Sequence, residues 1–173
     1  MATLISLPPV RLLIGPARLW ISLTLHRHRA SLRPVAELEF PRLAQFYSPA
    51  LLTYARYEAV DRMPIAPPLR LWSSMEAMDS IAGLTLRNAY FVRREELARE
   101  DLHAHELVHI IQWRLLGESA FLRTWLSDEQ TRGYDSNRLE RIAYRVQDEF
   151  LKAREPFDAE SRVVELLARA GLT

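Results

Sequence analysis

The stretch HAHELVH, residues 103–109, places His105 and His109 four residues apart with Glu106 between them. On a helix that spacing stacks both imidazoles on one face, about 6 Å apart along the axis. Two nitrogens so placed can share one zinc ion at about 2.0–2.1 Å. Glu106 then turns beside the ion rather than onto it, where a carboxylate can hold and deprotonate water. Zinc is the cofactor this pattern would recruit. The competing account makes both histidines surface residues of an ordinary helix, with Glu106 paired to Arg99 or another base. His103 shares the helix but points away from His105.

A catalytic zinc needs a third protein ligand and an open position. The chain has no cysteine, so the ligand must be a carboxylate or a further histidine. The acidic residues downstream are Asp128, Glu129, Asp135, Glu140, Asp148 and Glu149. Glu140 is the choice, because it lies in the first turns of a separate amphipathic helix at the border of its buried face. A helix crossing the first can hold a carboxylate more rigidly than a loop such as 127–130. The other role open to Glu140 is a charge at the helix start or the capping-box partner of Asn137. Tyr144, one turn later on the same side, can donate to a developing oxyanion or can be a boundary aromatic with its hydroxyl in water. Tyr134 and Asn137 are weaker candidates for contacts around the site. Asp148 can orient a ligand imidazole or be a solvated charge.

These residues need elements to carry them. Residues 94–117 read as an amphipathic helix starting near Leu97 or Asp101. Acidic residues at 95, 96, 100 and 101 oppose the dipole, Leu107, Ile110, Ile111 and Leu115 face inward, and Gly117 supplies the stop. GLTLRNAYFVR (83–93) is the best strand, with Leu84, Leu86, Asn88, Tyr90 and Val92 on one side; Asn88-Ala89 is the alternative, a turn between two short strands. Residues 40–60 carry helical spacing in two pieces divided by Pro49, with Leu43, Phe46, Leu51, Leu52 and Ala55 inward. A short strand is expected around Leu69 and Leu71. Residues 121–135 begin helical and become a polar loop. A strong helix follows over 136–156, capped by Ser136 or Asn137 and striped by Leu139, Ile142, Val146 and Phe150. A last helix spans roughly 159–170.

At 173 residues the chain is long enough for one domain with a real core, and 49% hydrophobic with 26% charged residues marks it as globular. A formal net charge of +1 gives no strong pull toward nucleic acid. Lack of cysteine is compatible with a cytoplasmic location. The division expected is an N-terminal arm and linker over 1–36 and a single domain over 37–173. The arm is apolar over 4–25, but Arg11, Arg18, Pro8, Pro9 and Pro16 interrupt it, so it falls short of a membrane span. It can pack on the domain, or residues 10–29 can make peripheral contact with a membrane surface.

HELVHIIQW resembles the active-site helix of the zincin metallopeptidases, on their glutamate-ligated, gluzincin side. With GLTLRNAYFVR before it and GYDSNRLERIAY after it, the order is similar to that of small zinc-peptidase domains found near bacterial extracellular contractile injection systems. The likeness covers roughly residues 82–150. It implies His105 and His109 as zinc ligands, Glu106 as general base and Glu140 as third ligand. It also implies the strand through 83–93 as the edge that holds an extended peptide or protein substrate. The fold implied is α+β: a mainly helical, minimal zincin-like domain with a small antiparallel sheet or hairpin beside the active-site helix. The activity implied is zinc-dependent peptide-bond hydrolysis. Two departures bear on turnover. Tyr144 stands where a gluzincin carries an aspartate that supports a ligand histidine, and no residue matches the usual oxyanion donor. The further glycine and histidine of metzincins are absent. The alternative function is therefore a non-catalytic, zinc-containing binding or assembly module. Arg87, Arg93 and Arg94 near the strand would suit acidic peptides or simply keep the surface soluble.

Overall fold

The computed structural model describes residues 8–65 and 81–173. The strand expected around Leu69 and Leu71 lies outside the described residues. The fold is α+β and mainly helical. Among the described residues six α-helices, α1 (Val10–His28), α2 (Leu43–Phe46), α3 (Pro49–Tyr54), α4 (Glu100–Arg132), α5 (Arg138–Lys152) and α6 (Ala159–Arg169), accompany one small sheet. Its strands are β1 (Arg33–Pro34), β2 (Arg56–Val60), β3 (Gly83–Leu86) and β4 (Ala89–Arg93), in the order β1-β2-β4-β3. β3 and β4 form an antiparallel hairpin, β1 pairs antiparallel with β2, and β2 lies parallel to β4.

The sheet bears on two details of the sequence reading. Residues 83–93 follow the alternative of two short strands, with Leu86 paired to Ala89 and the turn at Arg87-Asn88, one residue before the one expected. Arg87 takes a φ of 57° there, the left-handed region such tight turns require. The turn reverses the alternation, so Thr85 faces the same way as Tyr90, and Leu84 the same way as Phe91. The helical reading of 40–60 holds only to Tyr54. Ser48 accepts from Leu51 N to cap α3, and Arg56–Val60 then leaves the helix to pair with β4. Strand pairing over a buried face outweighs local helical spacing.

β4 is buried along Ala89–Val92 because helices cover both its faces. On one face Tyr90 donates from its hydroxyl to His103 Nδ1 at 2.5 Å, and His103 Nε2 donates to the Leu97 carbonyl at 2.9 Å. Burial holds His103 below its ordinary pKa, so it is a neutral packing residue of α4. On the other face His28, at the end of α1, meets the Phe91 ring edge-on at 4.9 Å and bonds Glu58 of β2 at 2.9 Å. The N-terminal segment is thus packed on the sheet and on α4. Pro16 sits inside α1, where the buried contacts of Ile21 and Thr24 hold the helix on the domain. Residues 26–36, read as a linker, end α1 and supply β1 and the buried Val35.

Leu102 to Trp113 of α4 are all buried, so this helix has no solvent face over three turns. A helix covered all round is a central element. Full burial of Leu107, Ile110 and Ile111 is worth about 1.5–3 kcal/mol each. Leu115, expected inward, is exposed. Gly117 does stop the first limb, with φ 72° and ψ 160°, but residues 118–132 resume as helix, which continues to Arg132 through the part expected to become a polar loop. Asp128 on this second limb accepts from the backbone and guanidinium of Arg138, tying the start of α5 to it. Asn137 caps α5 by accepting from Leu139 N, and Leu139, Ile142, Val146 and Phe150 are buried as expected.

Only glycine takes the backbone conformation of Gly117 without strain. Gly117→Ala should cost about 1–3 kcal/mol in urea denaturation. Gly15→Ala, inside α1 with nothing within 4 Å of the new Cβ, should instead gain about 0.5–1 kcal/mol.

Candidate metal centre

The first limb of α4 and the first turn of α5 meet at three side chains. His105, His109 and Glu140 each offer one ligand atom, and these atoms lie within 4.8 Å of one another. His105 Nε2 and His109 Nε2 are 3.1 Å apart, and Glu140 Oε2 is 3.5 Å from the first and 3.3 Å from the second. All three are buried.

The hydrogen bonds behind the histidines settle which nitrogen faces inward. Gln147 Nε2 donates to Asp101 Oδ2 at 2.8 Å, so its Oε1 is turned to His105 Nδ1 at 3.0 Å. Gln112 Nε2 donates to the Leu139 carbonyl at 3.0 Å, so its Oε1 is turned to His109 Nδ1 at 2.9 Å. A carboxylate and a carbonyl can only accept, which fixes both amides. Each imidazole must therefore carry hydrogen on Nδ1 and aim Nε2 at its neighbour and at Glu140. Such orienting bonds are what metal-binding histidines carry on their outer nitrogen. Two nitrogen lone pairs and a carboxylate oxygen at these separations repel unless positive charge lies among them.

The electrostatics agree. Burial opposes ionisation of Glu140, yet the charge and hydrogen bonds of His109 and His105 hold its carboxyl well below the usual range. Burial likewise opposes charge on His109, but Glu140, then Glu106 and Gln112, raise it to about 9. The donor set attracts a cation, and a proton on His109 occupies that role otherwise. Glu140 is further held by Trp125 Nε1 to Oε1 and by the Tyr134 hydroxyl to Oε2, both at 3.1 Å. With its carboxylate engaged there, Glu140 does not serve as a capping partner of Asn137. Tyr134 exposes its ring but turns its hydroxyl inward, and Glu140 and burial keep that phenol protonated.

Glu106 lies beside the cluster under β3. Thr85 Oγ1 donates to its Oε2 at 2.5 Å. A Cβ on Gly83 would stand 2.2 Å from its Oε1, so only a glycine leaves room for this carboxylate. Burial raises Glu106 above the ordinary carboxylate range, against the pull of His105, His109 and the Thr85 bond. A carboxylate raised in this way is a stronger proton acceptor than an exposed one. Arg99 is not its partner: that guanidinium bonds Glu96 and Asp101.

Tyr144 is half exposed, with its ring edge on His105 at 4.6 Å and a hydrogen bond to Tyr134. Asn137 bonds the Trp125 carbonyl through Nδ2, so it supports the site from behind. Asp148 pairs with Lys152, Glu149 with Arg162 and Arg145, and Asp128 with Arg138, leaving them outside the cluster. The role considered for Asp148 falls to Gln147. Arg87 is engaged with Glu118 and Ser22, and Arg94 with Asp61. Sequence reasoning missed Gln112, Gln147, Trp125 and Thr85. Gln112 was findable at three residues from His109, and Gln147 at two turns from Glu140. Trp125 and Thr85 carry no such spacing signal.

The cluster matches a zincin-like HExxH metal site: two histidines one turn apart, a glutamate from a second helix, and a small sheet beside them. No family model, curated protein or solved structure matches the chain.

Gln147→Leu should free His105 to rotate and weaken divalent-ion affinity about 10–100-fold, read by competition with a chromophoric chelator. The same affinity in the variant would show that the amide has no orienting role.

Proposed function

We propose that the protein is a zinc metallopeptidase. The single observation that carries this reading is the convergence of His105 Nε2, His109 Nε2 and Glu140 Oε2, with the separate, raised carboxylate of Glu106 next to them. A zinc ion held there would supply Lewis acidity toward water and a peptide carbonyl. Glu106 takes the proton from the attacking water and returns it to the leaving amine. Thr85 and the space over Gly83 hold that carboxylate in place. Tyr144 stands at the edge of the cluster with a phenol hydroxyl suited to donate to the developing oxyanion, while the Tyr134 hydroxyl is spent on Glu140. The edge strand β3, beside Glu106, is suited to pair with an extended peptide or protein substrate. The resemblance to zinc-peptidase domains found near bacterial contractile injection systems supports the same activity class.

A second reading is a non-catalytic binding or assembly module with a structural zinc. The specific observation in its favour is the depth of the site: His105, His109 and Glu140 are 4%, 6% and 5% exposed.

Elemental analysis of protein purified without added metal should find one zinc per chain, lost in Glu140→Ala. Glu106→Gln should keep the zinc and lower cleavage of a quenched peptide library about 10²–10⁴-fold. Undiminished cleavage in that variant would sink the peptidase assignment. Zinc without cleavage in the wild type would favour the module. Since His109 stays protonated up to about pH 9, proton and ion compete for it. Zinc affinity should therefore rise about tenfold per pH unit between 7 and 9, with close to one proton released from His109 per ion, counted by calorimetry in buffers of different ionisation heat.

A further inference from the structure

α1 is apolar on two opposite faces, and the domain uses only one. At roughly 100° per residue, Ala17, Ile21, Thr24 and His28 point one way. Ile21 and Thr24 are buried there, Ala17 packs against the core, and His28 meets Phe91. Leu12, Leu19 and Leu23 point the opposite way, within roughly 40° of one another. They are 60%, 61% and 48% exposed, so packing within the domain does not account for them.

Charge borders this stripe. Arg11, Arg18 and Arg29 line one flank within roughly 20° of each other, and Arg27 lies on the other. All four are exposed. The first 36 residues hold five arginines and no aspartate or glutamate, although the whole chain has a net charge of only +1. The remainder therefore carries the opposite excess, and the molecule is polarised toward α1.

We infer that this face of α1 seats the protein on an anionic lipid surface, with the three leucines entering the headgroup boundary and Arg11, Arg27 and Arg29 facing lipid phosphates. Leucines flanked by arginines are the composition that binds in the plane of such an interface. Among the described residues no helix is long and apolar enough to cross a membrane, so the contact is peripheral. A second copy of the chain is a poorer occupant. A symmetric contact would bring arginine flanks together, and Glu118, the carboxylate bonded to this flank, is already taken by Arg18 and Arg87. The helix is also held firmly enough to present its outer face. Arg18 bonds Glu118 at 3.2 Å and Arg87 bonds Ser22 at 2.9 Å, both linking it to the domain.

The test is co-sedimentation of the full chain with sucrose-loaded vesicles of phosphatidylcholine, with and without phosphatidylglycerol. Binding is expected only with phosphatidylglycerol, and should fall as salt rises. The variant carrying Leu12→Ser, Leu19→Ser and Leu23→Ser should bind at least about tenfold more weakly. Arg11→Gln with Arg27→Gln should lose about fivefold per arginine. Both variants alter exposed side chains, so their melting temperatures and zinc content should match the wild type, separating this result from the metal site. Absence of vesicle binding, equal binding to both lipid mixtures, or full binding by the leucine variant would each overturn the inference. So would a dimer in solution that the leucine variant dissociates without any vesicle binding, which would assign the face to a second copy.

Discussion

Two imidazole nitrogens 3.1 Å apart, each with its lone pair turned to the other and to a carboxylate, are unstable without positive charge among them. The surroundings of the site are arranged to impose that condition. Gln112 and Gln147 each have their amide nitrogen committed elsewhere, and so can offer the histidines only an acceptor. The Gln147 amide is backed by Asp101, and Asp101 by Arg99, which extends the chain of bonds to the start of α4. This explains how the site manages without an aspartate at the place of Tyr144. An amide three residues farther along α5 reaches the histidine instead.

Glu106 is set apart from this group by the sheet. The cluster proper is held by helices, while Glu106 is held by Thr85 on β3 and by the missing side chain of Gly83. The two histidines and Glu106 thus rest on different supports although they share one turn of helix. The face of the hairpin that holds Glu106 also carries Tyr90, whose bond to His103 fixes the start of the same helix. A buried carboxylate left without these neighbours would gain a proton and lose its usefulness as a base.

Gly117 joins the two halves of the arrangement. The backbone there turns the second limb of α4 so that Trp125 reaches Glu140 and Asp128 reaches the first residue of α5. A straight helix of that length would carry both away from the centre. The same limb meets α1 through Glu118, which bonds Arg18 and Arg87. The helix proposed to face lipid is therefore tied to the element that completes the metal centre.

The sequence by itself determined the local part of this protein. Spacing of four residues on one helix was enough to pair His105 with His109 and to set Glu106 beside them, because helical geometry fixes those directions. The stripe of Leu139, Ile142, Val146 and Phe150 was enough to define α5 and to put Glu140 at its buried border. What the tertiary structure decided were contacts between elements distant in sequence. The hairpin turn at Arg87 reversed which residues share a face, and only that places Thr85 over Glu106. Arg56–Val60 became a strand because β4 offered a partner, which no local preference encodes. The glutamines behind the histidines lay at readable helical spacings, but their role depended on Asp101 and Leu139 fixing which end of each amide faces inward.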